Sequence, residues 1–552
     1  MVRAKGLYLF KPATLIAALL TCSPTLFAAH QIDLAHVNSL AAVTEKASFR
    51  EVRRDLNPRS HTLHVRLQQE YQGYKVWGGD VVLHVPNGDK MKKMAFQSLM
   101  TKQARMNGVI YHSLQNDLQG APAVIFTKAQ ADKALATAVE LYTKKMGMLP
   151  LLSQQESKLL VFVDDDKKAH FAFKVSFFAE PTADGKTPEI PTYLLDAKTF
   201  NVYQEWNDIH TALDGDAGLE LVEGGGFGGN VKIGQLTYDG LPSNLDSFTV
   251  SRDAVSNKCY LQNQFIRVKG SRSVNPNNVV TSYPCVSPSA KHNNVYWNDA
   301  LDSITGYSPS NDAMHNVEVV RQMFSNWYHM PIIVKDGKPA FLSVYTHYRM
   351  INAFYTGGVL SLGDGLSPFY TPFSTLDIVA HELSHGFTDQ YSQLTFVGQS
   401  GGINESFGDM TAKMAELYLT GKHSWDFAAS IVIPKGEALR YFDKPSRDCV
   451  GKVRHVGCSP DKASEYKKGM DSHQAAGVFN RLYYLWATSP GWDLKRVYSV
   501  MLEANMHYWT SNSTYQQASC GLLQATAELG YSTEEPLQAM KQLGIDTSSC
   551  AS

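Results

Sequence analysis

The sequence predicts an α+β protein in which regions rich in β-strands come before a helical C-terminal region. Two observations indicate this class. Runs of alternating apolar and polar residues recur in the first two thirds of the chain, for example HTLHVRLQQEYQG at 61–73. From Leu376 onward, apolar residues recur instead at spacings of three and four, the period of a helix that packs one face. With 552 residues, the chain is long enough to form several domains.

The first 29 residues are predicted to be a signal peptide. Three basic residues among the first eleven come before a short apolar run at 13–20, and small residues follow at Ala28 and Ala29. The apolar run is too short to span a bilayer, and no later segment has the length and composition of a membrane helix. The sequence therefore predicts a secreted, extracellular protein without a membrane anchor.

Residues 30–221 are predicted to form a separate α+β domain. This region contains no cysteine, and it combines strand-like runs with one helical stretch at 128–147. A glycine-rich stretch follows at 213–230, and five of the six positions 224–229 are glycine. Glycine loses more backbone freedom on ordering than any other residue, so this stretch is predicted to be a linker or cleavage point.

The rest of the chain is predicted to form two lobes. Residues 222–375 contain strand-like, turn-rich segments and an amphipathic helix near 316–328, whereas residues 376–552 contain five helical segments. The chain has 51 Lys and Arg against 52 Asp and Glu, and no basic patch stands out. A nucleic-acid partner is therefore excluded.

The segment LDIVAHELSHGFTDQ, at 376–390, places His381 and His385 four positions apart with Glu382 beside the first of them. Residues at i and i+4 lie on one face of a helix, so both imidazoles can reach a single point. Imidazole is a common zinc ligand, and a catalytic zinc site has three protein ligands and one position for water. The segment therefore predicts one catalytic zinc, with Glu382 as the general base toward the activated water.

The third zinc ligand is predicted to be Glu405, in the segment SGGINESFGDM at 400–410. A hairpin of two antiparallel helices would bring this carboxylate back to the metal. Asn404 and Asp409 are predicted to accept the second N–H of the two zinc histidines and so to fix their rings. The combination predicts metal-assisted hydrolysis of a carbonyl compound.

These segments resemble the thermolysin family of secreted zinc endopeptidases, most closely its elastase-like branch. VAHELSH matches the zinc helix of the family, SGGINESFGDM matches the helix with the third ligand, and residues 64–85 are similar to the propeptide signature. The resemblance covers nearly everything after the signal. It implies a two-lobed zincin, with a β-rich N-terminal lobe and a helical C-terminal lobe, preceded by an α+β propeptide that assists folding and inhibits the enzyme.

The resemblance also implies residues that bind the substrate. INAFYTGG, at 351–358, looks like the edge strand of the family, in which the Asn352 side chain and the Ala353 carbonyl would hold a peptide backbone. Arg440 would bind the carbonyl beyond the scissile bond. Leu439 would line an apolar pocket there, which implies cleavage before bulky hydrophobic residues.

Asp471 and His473 stand where the family has its oxyanion-stabilising histidine and the carboxylate that orients it. The family usually has a tyrosine near the oxyanion as well, but Phe396 occupies that position here. The resemblance therefore leaves oxyanion stabilisation chiefly to zinc and His473.

Calcium binding stays open at the level of the sequence. Asp377 and Glu416 match positions that supply calcium oxygens in relatives, but Lys413 and Ser424 stand where two further carboxylates are expected. An ammonium beside Asp377 would neutralise that carboxylate without a metal. Both a calcium-bound and a calcium-free site are compatible with these residues.

Removal of the signal would leave six cysteines, and an even number in an exported chain favours disulfides. Their order suggests three sequential pairs, each closing a local loop, although other connectivities stay open. The pairs suggested are Cys259 with Cys285, Cys449 with Cys458, and Cys520 with Cys550.

Three rival interpretations were compatible with parts of the sequence. GQSGG, at 398–402, satisfies the G-x-S-x-G pattern of a serine hydrolase with Ser400 as nucleophile. A zinc aminopeptidase would share the zinc motif but needs an acidic site for the substrate amine. A secreted adhesin or inhibitor would leave residues 376–480 unexplained. The prediction is therefore a monomeric zinc endopeptidase whose partners are peptide substrates and its own propeptide, made as a self-processing zymogen.

Overall fold

The structure is a computed structural model, which describes most of the chain after the predicted signal. The signal itself lies outside the described residues, apart from Ala29. The described ranges are 29–37, 39–40, 48–57, 60–100, 104–118, 126–147, 151–180, 189–207, 219–270, 279–285, 296–298, 305–335, 337–449 and 457–550.

The N-terminal unit is built on one large sheet with a helix packed against it. The sheet runs in the order β1-β5-β4-β6-β7-β8-β9, and β3 and β2 extend it from β4. Its strands are β1 (His30–Asp33), β2 (Ser48–Leu56), β3 (Leu63–Tyr71), β4 (Tyr74–Val85), β5 (Arg105–His112), β6 (Leu151–Val163), β7 (Ala169–Glu180), β8 (Pro191–Asp196) and β9 (Val202–Asn207). Its helices are α1 (Phe96–Met100), α2 (Leu114–Asp117) and α3 (Lys128–Met146).

Helix α3 is the helical stretch predicted at 128–147. A capping box between Thr127 and Gln130 begins it, and Gly147 ends it in a left-handed conformation with φ of 71°. The buried face of α3, including Ala138 and Tyr142, packs on apolar side chains of β7 and β8. This packing gives the N-terminal unit a core of its own.

The next region is rich in strands and forms the first of two lobes. One sheet has the order β11-β10-β12-β13-β15 with β16 beside β10, and a second has the order β14-β19-β21-β20. The elements are β10 (Glu220–Asn230), β11 (Gly234–Tyr238), β12 (Phe248–Asp253), β13 (Lys258–Tyr260), β14 (Ile266–Gly270), β15 (Ser282–Pro284), β16 (Tyr296–Asn298), α4 (Pro309–Tyr328), β17 (Val334–Lys335), β18 (Lys338–Pro339), β19 (Leu342–Tyr348), β20 (Ala353–Thr356) and β21 (Val359–Gly363).

Residues 213–230 were predicted to be a linker or cleavage point, and the linker prediction was wrong for the glycine-rich stretch 224–229. It forms the centre of β10, which pairs with three other strands. A Cβ at Gly228 would lie 2.2 Å from Asp312 Oδ1 and 2.4 Å from Tyr238 Cε2. The glycine is needed because α4 and β11 approach the strand too closely for any side chain.

The second lobe is helical, as its apolar spacing predicted. It consists of α5 (Leu376–Gln390), α6 (Gly398–Thr420), the strand pair β22 (Asp426–Phe427) and β23 (Arg440–Tyr441), α7 (Ser472–Ala475), α8 (Gly477–Ala487), α9 (Leu494–His507), α10 (Tyr515–Glu528) and α11 (Glu534–Gln542). One hydrophobic core runs through both lobes, from Tyr238 in β11 to Ile545 after α11. The shared core fixes the position of α5 against the strands of the first lobe.

The predicted disulfides are present as three sequential pairs. Each joins two cysteines at a Cα–Cα distance of 4.6–5.1 Å. The pairs are Cys259–Cys285, Cys449–Cys458 and Cys520–Cys550.

The N-terminal unit packs on the helical lobe. Arg66 Nη2 in β3 donates a hydrogen bond to the Trp509 carbonyl at 3.0 Å. Arg53 Nη1 in β2 donates to the carbonyl of Gln390, the last residue of α5, at 3.4 Å. Through the described part of the chain, no helix is both long enough and apolar enough to cross a membrane.

Candidate metal centre

Helices α5 and α6 form the antiparallel hairpin that the sequence predicted, and they bring three ligand side chains together. His381 Nε2 lies 3.3 Å from Glu405 Oε2, and His385 Nε2 lies 3.7 Å from Glu405 Oε1. Ligand atoms of all three residues lie within 4.8 Å of one another, and all three residues are buried. A tetrahedral zinc site with bonds of about 2 Å separates its ligand atoms by roughly 3.3 Å.

Two polar side chains of α6 contact the outer nitrogens of the histidines. His381 Nδ1 lies 3.0 Å from Asp409 Oδ1, and His385 Nδ1 lies 3.0 Å from Asn404 Oδ1. The Asn404 amide in turn donates to the Leu394 carbonyl at 2.9 Å, so its oxygen faces the ring. Both contacts leave Nε2 as the nitrogen that faces Glu405.

Asp409 is the centre of a larger buried network. Arg440 holds it in a bidentate pair, with Nε 2.7 Å from Oδ2 and Nη2 2.5 Å from Oδ1. Asn480 Nδ2 in α8 also donates to Asp409 Oδ2 at 2.7 Å. The carboxylate that orients His381 is therefore itself fixed from two further elements.

The approach of α6 to His381 depends on a glycine. A Cβ at Gly408 would lie 2.4 Å from His381 Nδ1 and 2.7 Å from its Cε1. No substituent fits between the helix backbone and the ring. Gly408 therefore sets the distance between the two helices at the level of the ligands.

Glu382 is held at the edge of the second sheet. The Tyr355 backbone N–H donates to Glu382 Oε2 at 3.0 Å. Among the described residues, β20 pairs only with β21, so its other edge is open. Gly363 N donates to the Asn352 carbonyl on the β21 side, and alternate residues of a strand face opposite edges. The Ala353 carbonyl therefore faces the open edge, together with Glu382.

Of the remaining predicted residues, His473 and its partner Asp471 lie close to Glu405. Asn352 is exposed, and Leu439 is half-buried against the core that the lobes share. His473 Nδ1 lies 3.1 Å from Asp471 Oδ1, and its Nε2 lies 3.5 Å from Glu405 Oε2. The His473 side chain is 50% exposed, so it is open to a bound ligand.

The electrostatics of the cluster favour a bound cation. Burial disfavours a charged imidazole, but Asp409 and Glu405 outweigh it and raise the pKa of His381 to about 10. Burial also opposes ionisation of Asp409, yet Arg440 and His381 lower its pKa to about 2. Within the described residues, Glu405 Oε2 is buried without a hydrogen-bond partner. Two imidazoles and a carboxylate with an unsatisfied oxygen fit a zinc ion.

A buried lysine lies among the residues considered for calcium binding. Lys413 Nζ lies 2.7 Å from Glu416 Oε2 and 3.0 Å from Ser424 Oγ. Asp377 accepts hydrogen bonds from Ser430 Oγ, at 2.8 Å to each oxygen. These contacts describe how the polar groups are paired, and calcium binding stays a prediction to be tested.

Ser400 lies in the first turn of α6 and not on the turn of a serine nucleophile. Its hydroxyl donates to the Val397 carbonyl at 2.7 Å and lies 2.8 Å from Thr395 Oγ1. No histidine of the described residues forms a hydrogen bond with it. The geometry gives no support to the serine hydrolase interpretation.

Sequence reasoning missed two groups that hold the site. Asn480 was not singled out, although an amide within the apolar run of α8 is an unusual buried residue and was a usable signal. The Tyr355 N–H is a backbone group, and no residue type in the sequence marks it. Phe396, by contrast, was singled out, and its ring packs edge-on to His385 with centroids 5.1 Å apart.

Comparison with known proteins gives matches along most of the chain. Residues 239–389 match the thermolysin metallopeptidase catalytic domain, residues 392–544 match the alpha-helical domain of the same peptidases, and residues 51–91 match the fungalysin/thermolysin propeptide motif. The zinc metalloproteinase MspA of Legionella longbeachae is 36% identical over 498 residues, which are 89% of this chain and 88% of that protein.

More distant relatives also match over most of their length. The neutral protease of Vibrio proteolyticus is 31% identical over 507 residues, which are 91% of this chain and 74% of that protein. Among solved structures, the precursor of protealysin, a metalloproteinase from Serratia proteamaculans, is 20% identical with a TM-score of 0.39, and the match covers 43% of this chain and 79% of that chain.

The two-lobed α+β fold and the family matches define a zinc metalloendopeptidase that is made with a propeptide. The identity and coverage of the relatives also show the family of the chain. The chain belongs to the thermolysin family, which is the family that its motifs resemble.

Proposed function

We propose that the chain is a secreted zymogen whose enzyme cleaves peptide bonds before bulky hydrophobic residues, with the zinc site at His381, His385 and Glu405. The observation that carries the proposal is the convergence of this cluster, Glu382 and the open edge of β20. Zinc bound there would polarise the scissile carbonyl and make a water molecule acidic at neutral pH. Asn404 and Asp409 would orient the two histidines.

Glu382 would move the proton. Its carboxylate would take a proton from the attacking water and deliver it to the leaving amine. The Tyr355 N–H supports this role because it holds Oε2 and so fixes the plane of the carboxylate. Glu382 is 8% exposed, and this burial would limit competition from bulk water for the proton.

The substrate would add to β20 as an antiparallel strand. The outward Ala353 carbonyl and the exposed Asn352 side chain offer an acceptor and an amide to the peptide backbone. Arg440 uses Nε and Nη2 on Asp409, so a substrate carbonyl would be bound by its remaining nitrogen. Leu439, beside Arg440, would line the pocket for the bulky side chain.

His473 would stabilise the developing negative charge. The charge of Glu405, together with the hydrogen bond to Asp471, raises the pKa of His473 above its ordinary value, so the ring tends to carry two N–H donors. A donor placed before the reaction costs no reorganisation when charge develops on the oxyanion.

Residues 1–29 would be the signal, about 30–221 the inhibitory propeptide, 222–375 the strand-rich lobe and 376–552 the helical lobe. The propeptide motif at 51–91 supports the second of these ranges. Residue 222 lies within the continuous strand β10, so the cut that separates the propeptide would come before the strand pairs. Export of the chain and a monomeric enzyme complete the proposal.

The test is cleavage of an internally quenched peptide that is blocked at both ends. A zinc chelator is expected to abolish cleavage and added zinc to restore it, with a strong preference for leucine or phenylalanine over glycine after the scissile bond. Glu382→Gln is expected to lower kcat by about 10²–10⁴ because the general base is lost.

Ser400→Ala is the matched control, and it is expected to keep its activity because the serine only caps local structure. Cleavage that survives the chelator, or a Glu382→Gln enzyme as active as the parent, would refute the proposed mechanism. Activity only toward peptides with a free N-terminus would indicate an aminopeptidase.

A further inference from the structure

A cluster of histidines and carboxylates lies between the N-terminal unit and the helical lobe. None of its residues has been given a role in the site described above. We call it the interface cluster. His64 in β3 and His84 in β4 come from the N-terminal unit, and His507, Glu503 and Glu528 come from α9 and α10. The three histidines and Glu503 are each less than 9% exposed, and the Glu528 side chain is 6% exposed.

The two histidines of the N-terminal unit share a single hydrogen bond. His64 Nδ1 lies 2.8 Å from His84 Nδ1. The outer nitrogens of the pair also have partners: His64 Nε2 lies 3.2 Å from Glu528 Oε1, and His84 Nε2 lies 2.6 Å from the Asn107 side-chain oxygen. The two rings therefore form a chain of contacts from β5 to α10.

The third histidine stacks on this pair. The rings of His64 and His507 are 4.2 Å apart with an angle of 10° between their planes. His507 Nδ1 lies 2.6 Å from Glu503 Oε1. A metal ion lies in the plane of each imidazole that binds it, and two stacked rings do not share a plane. The stacked arrangement therefore does not place one ion between His64 and His507, although Glu503 is close to both.

The contact between His64 and His84 limits how many protons the pair holds. A hydrogen bond between two Nδ1 atoms needs one N–H and one lone pair, so at least one of the two rings must be uncharged. Two imidazolium rings would point N–H against N–H at 2.8 Å. Both rings belong to the N-terminal unit, where His64 lies directly opposite His84 across β3 and β4, so separation does not by itself break this contact. Separation removes His507, Tyr508 and Glu528, which cover the two rings, and in water the rings can turn apart and both become charged. The docked pair thus holds one proton fewer than the separated pair in acid.

The surrounding groups do not remove this limit. Burial lowers the pKa of His64, and burial together with His64 lowers the pKa of His84 well below its ordinary value. Glu503 and Glu528 attract one positive charge to the cluster, but a second N–H at the shared contact still has no acceptor. His507, which faces His64, adds repulsion whenever both rings are charged.

The ionisation of Glu528 also makes docking stronger at neutral pH than in acid. Burial alone would raise its pKa, but hydrogen bonds from His64, Ser60 and Tyr508 outweigh burial and lower the pKa to about 2. Two of those donors belong to the N-terminal unit and are lost on separation. Docking therefore gains from an ionised Glu528 above its ordinary pKa near 4.5 and loses this gain toward pH 2.

Water has access to the edge of the interface cluster. A cavity of about 620 Å³ lies between the two parts of the chain, and His84, Arg105, Tyr508 and Glu528 line it. Arg105, from β5, is the cation that faces Tyr508 there. Protons can therefore reach the shared contact without prior unfolding of either part.

We propose that the interface cluster is an acid-sensitive latch, which holds the N-terminal unit on the helical lobe at neutral pH and releases it in mild acid. The proposal rests on the proposed function, in which residues 30 to about 221 are a propeptide that must leave the enzyme. Free histidine has a pKa near 6.5. If the one proton that the docked pair can bind keeps that pKa, the missing second proton weakens docking about tenfold between pH 7.5 and 5.5, and the lowered pKa of His64 makes the loss larger. Contacts such as Arg66 to Trp509 do not titrate in this range and set the baseline affinity.

The test uses the full chain with zinc and the substitution Glu382→Gln, which removes self-cleavage. Hydrogen exchange is measured at pH 7.5 and 5.5 for amides of β3, β4 and residues 503–512, after correction for intrinsic exchange. Opening of these segments is expected to rise about tenfold in acid, while α6 keeps its protection. Because activity is not the readout, the result is independent of whether the proposed peptide hydrolysis is correct.

Single substitutions complete the test. His84→Gln removes the clash of two N–H groups and is expected to abolish most of the acid effect. His61→Gln is the matched control, because His61 belongs to the same unit but its side chain is 62% exposed, and it is expected to leave the acid effect unchanged. If His84→Gln loses the protection of β4 at pH 7.5, His64→Gln removes the same clash from β3 and is expected to abolish most of the acid effect.

The proposal is overturned if opening is the same at both pH values, or if His84→Gln and His61→Gln respond to acid equally. Added Zn²⁺ that closes the segments of the parent at pH 5.5, but not those of His507→Gln, would show a metal site instead of a proton-controlled one.

Discussion

At the scale of the residue, Phe396 is the clearest departure from the family pattern. Its ring packs edge-on to His385, and its carbonyl accepts a hydrogen bond from Ser472 Oγ at 2.7 Å. The residue thus connects a proposed zinc ligand to the short helix α7 that carries His473. In the family pattern, a tyrosine at this position carries a hydroxyl that donates to the oxyanion.

Phe396→Tyr is expected to preserve kcat/KM or to raise it, by at most about a hundredfold, because a hydroxyl donor is added beside the oxyanion. The measurement is steady-state cleavage of the doubly blocked quenched peptide. Phe396→Leu, which removes the ring, is the comparison and is expected to lower kcat/KM. A large loss in Phe396→Tyr would mean that the ring serves packing alone.

Lys413 gives a second prediction at this scale. Its buried ammonium compensates Glu416, so removal of calcium by a selective chelator, with zinc replenished, is expected to leave Tm unchanged. Lys413→Met is expected to cost about 1–3 kcal/mol of unfolding free energy, because Glu416 would stay partly buried without its partner. Thermal unfolding of the Glu382→Gln chain measures both. A fall in Tm of the parent with the chelator would instead indicate bound calcium.

The sequence was most informative about residues that stand on one helix. The helical period alone was enough to predict that His381, Glu382 and His385 lie close together. A hairpin of two helices was enough to predict that Glu405 joins them. Arg440 shows where the sequence was insufficient: its implied role in substrate binding stays a proposal, and no local pattern indicated that its guanidinium also pairs with Asp409. Such a contact depends on the position of β23 against α6, which no local pattern encodes.

At the scale of the element, the hairpin of α5 and α6 determines the geometry of the proposed metal site. Both helices are buried on nearly every face, so their position is set by packing and not by an exposed polar side. Gly408 brings α6 against His381. The helical lobe was predictable for the same reason, since long apolar periodic segments are the strongest local signal.

Gly408→Ala is expected to lower zinc affinity about 10–100-fold, because the His381 ring must move and lose its contact with Asp409. The measurement is competition for zinc with a chromophoric chelator at constant pH. Thr420→Ala, at the exposed end of α6, is the control and is expected to bind zinc like the parent. Equal affinities would show that the hairpin can widen without cost to the site.

Strand β10 illustrates the opposite case. Its glycines read as a linker because glycine has no intrinsic preference for a strand, and the requirement for them comes from distant residues such as Asp312. The Asp312 side chain accepts hydrogen bonds from the Gly229 N–H at 2.8 Å and from the Tyr238 hydroxyl at 2.6 Å. This stretch is buried only in the folded lobe. The linker prediction therefore failed because a local pattern does not include long-range packing.

At the scale of the whole molecule, the chain consists of an N-terminal unit with its own core and two lobes that share another. The α+β class and the order of these parts followed from the sequence, because strand and helical periods differ and change near residue 376. The docking of the N-terminal unit on α9 and α10 did not follow. Its contacts join residues more than 400 positions apart, such as Asn57 with Glu503.

Self-processing is the prediction that belongs to this scale. A Glu382→Ala chain is expected to remain at full length, because the same active site is proposed to cut the propeptide. Intact mass and N-terminal sequencing of the purified chain measure the outcome. Addition of a trace of active enzyme is the control for an accessible junction, and maturation of the Glu382→Ala chain by itself would contradict self-processing.

The site on which the N-terminal unit docks has a consequence for the order of events during synthesis. A ribosome makes β3 and β4 long before α9 and α10. The N-terminal unit therefore lacks its partner surface until those two helices have been made. A nascent chain that stops before these helices lacks the surface on which the N-terminal unit docks. Such an incomplete product keeps an N-terminal unit that cannot dock, and it does not form the protease prematurely.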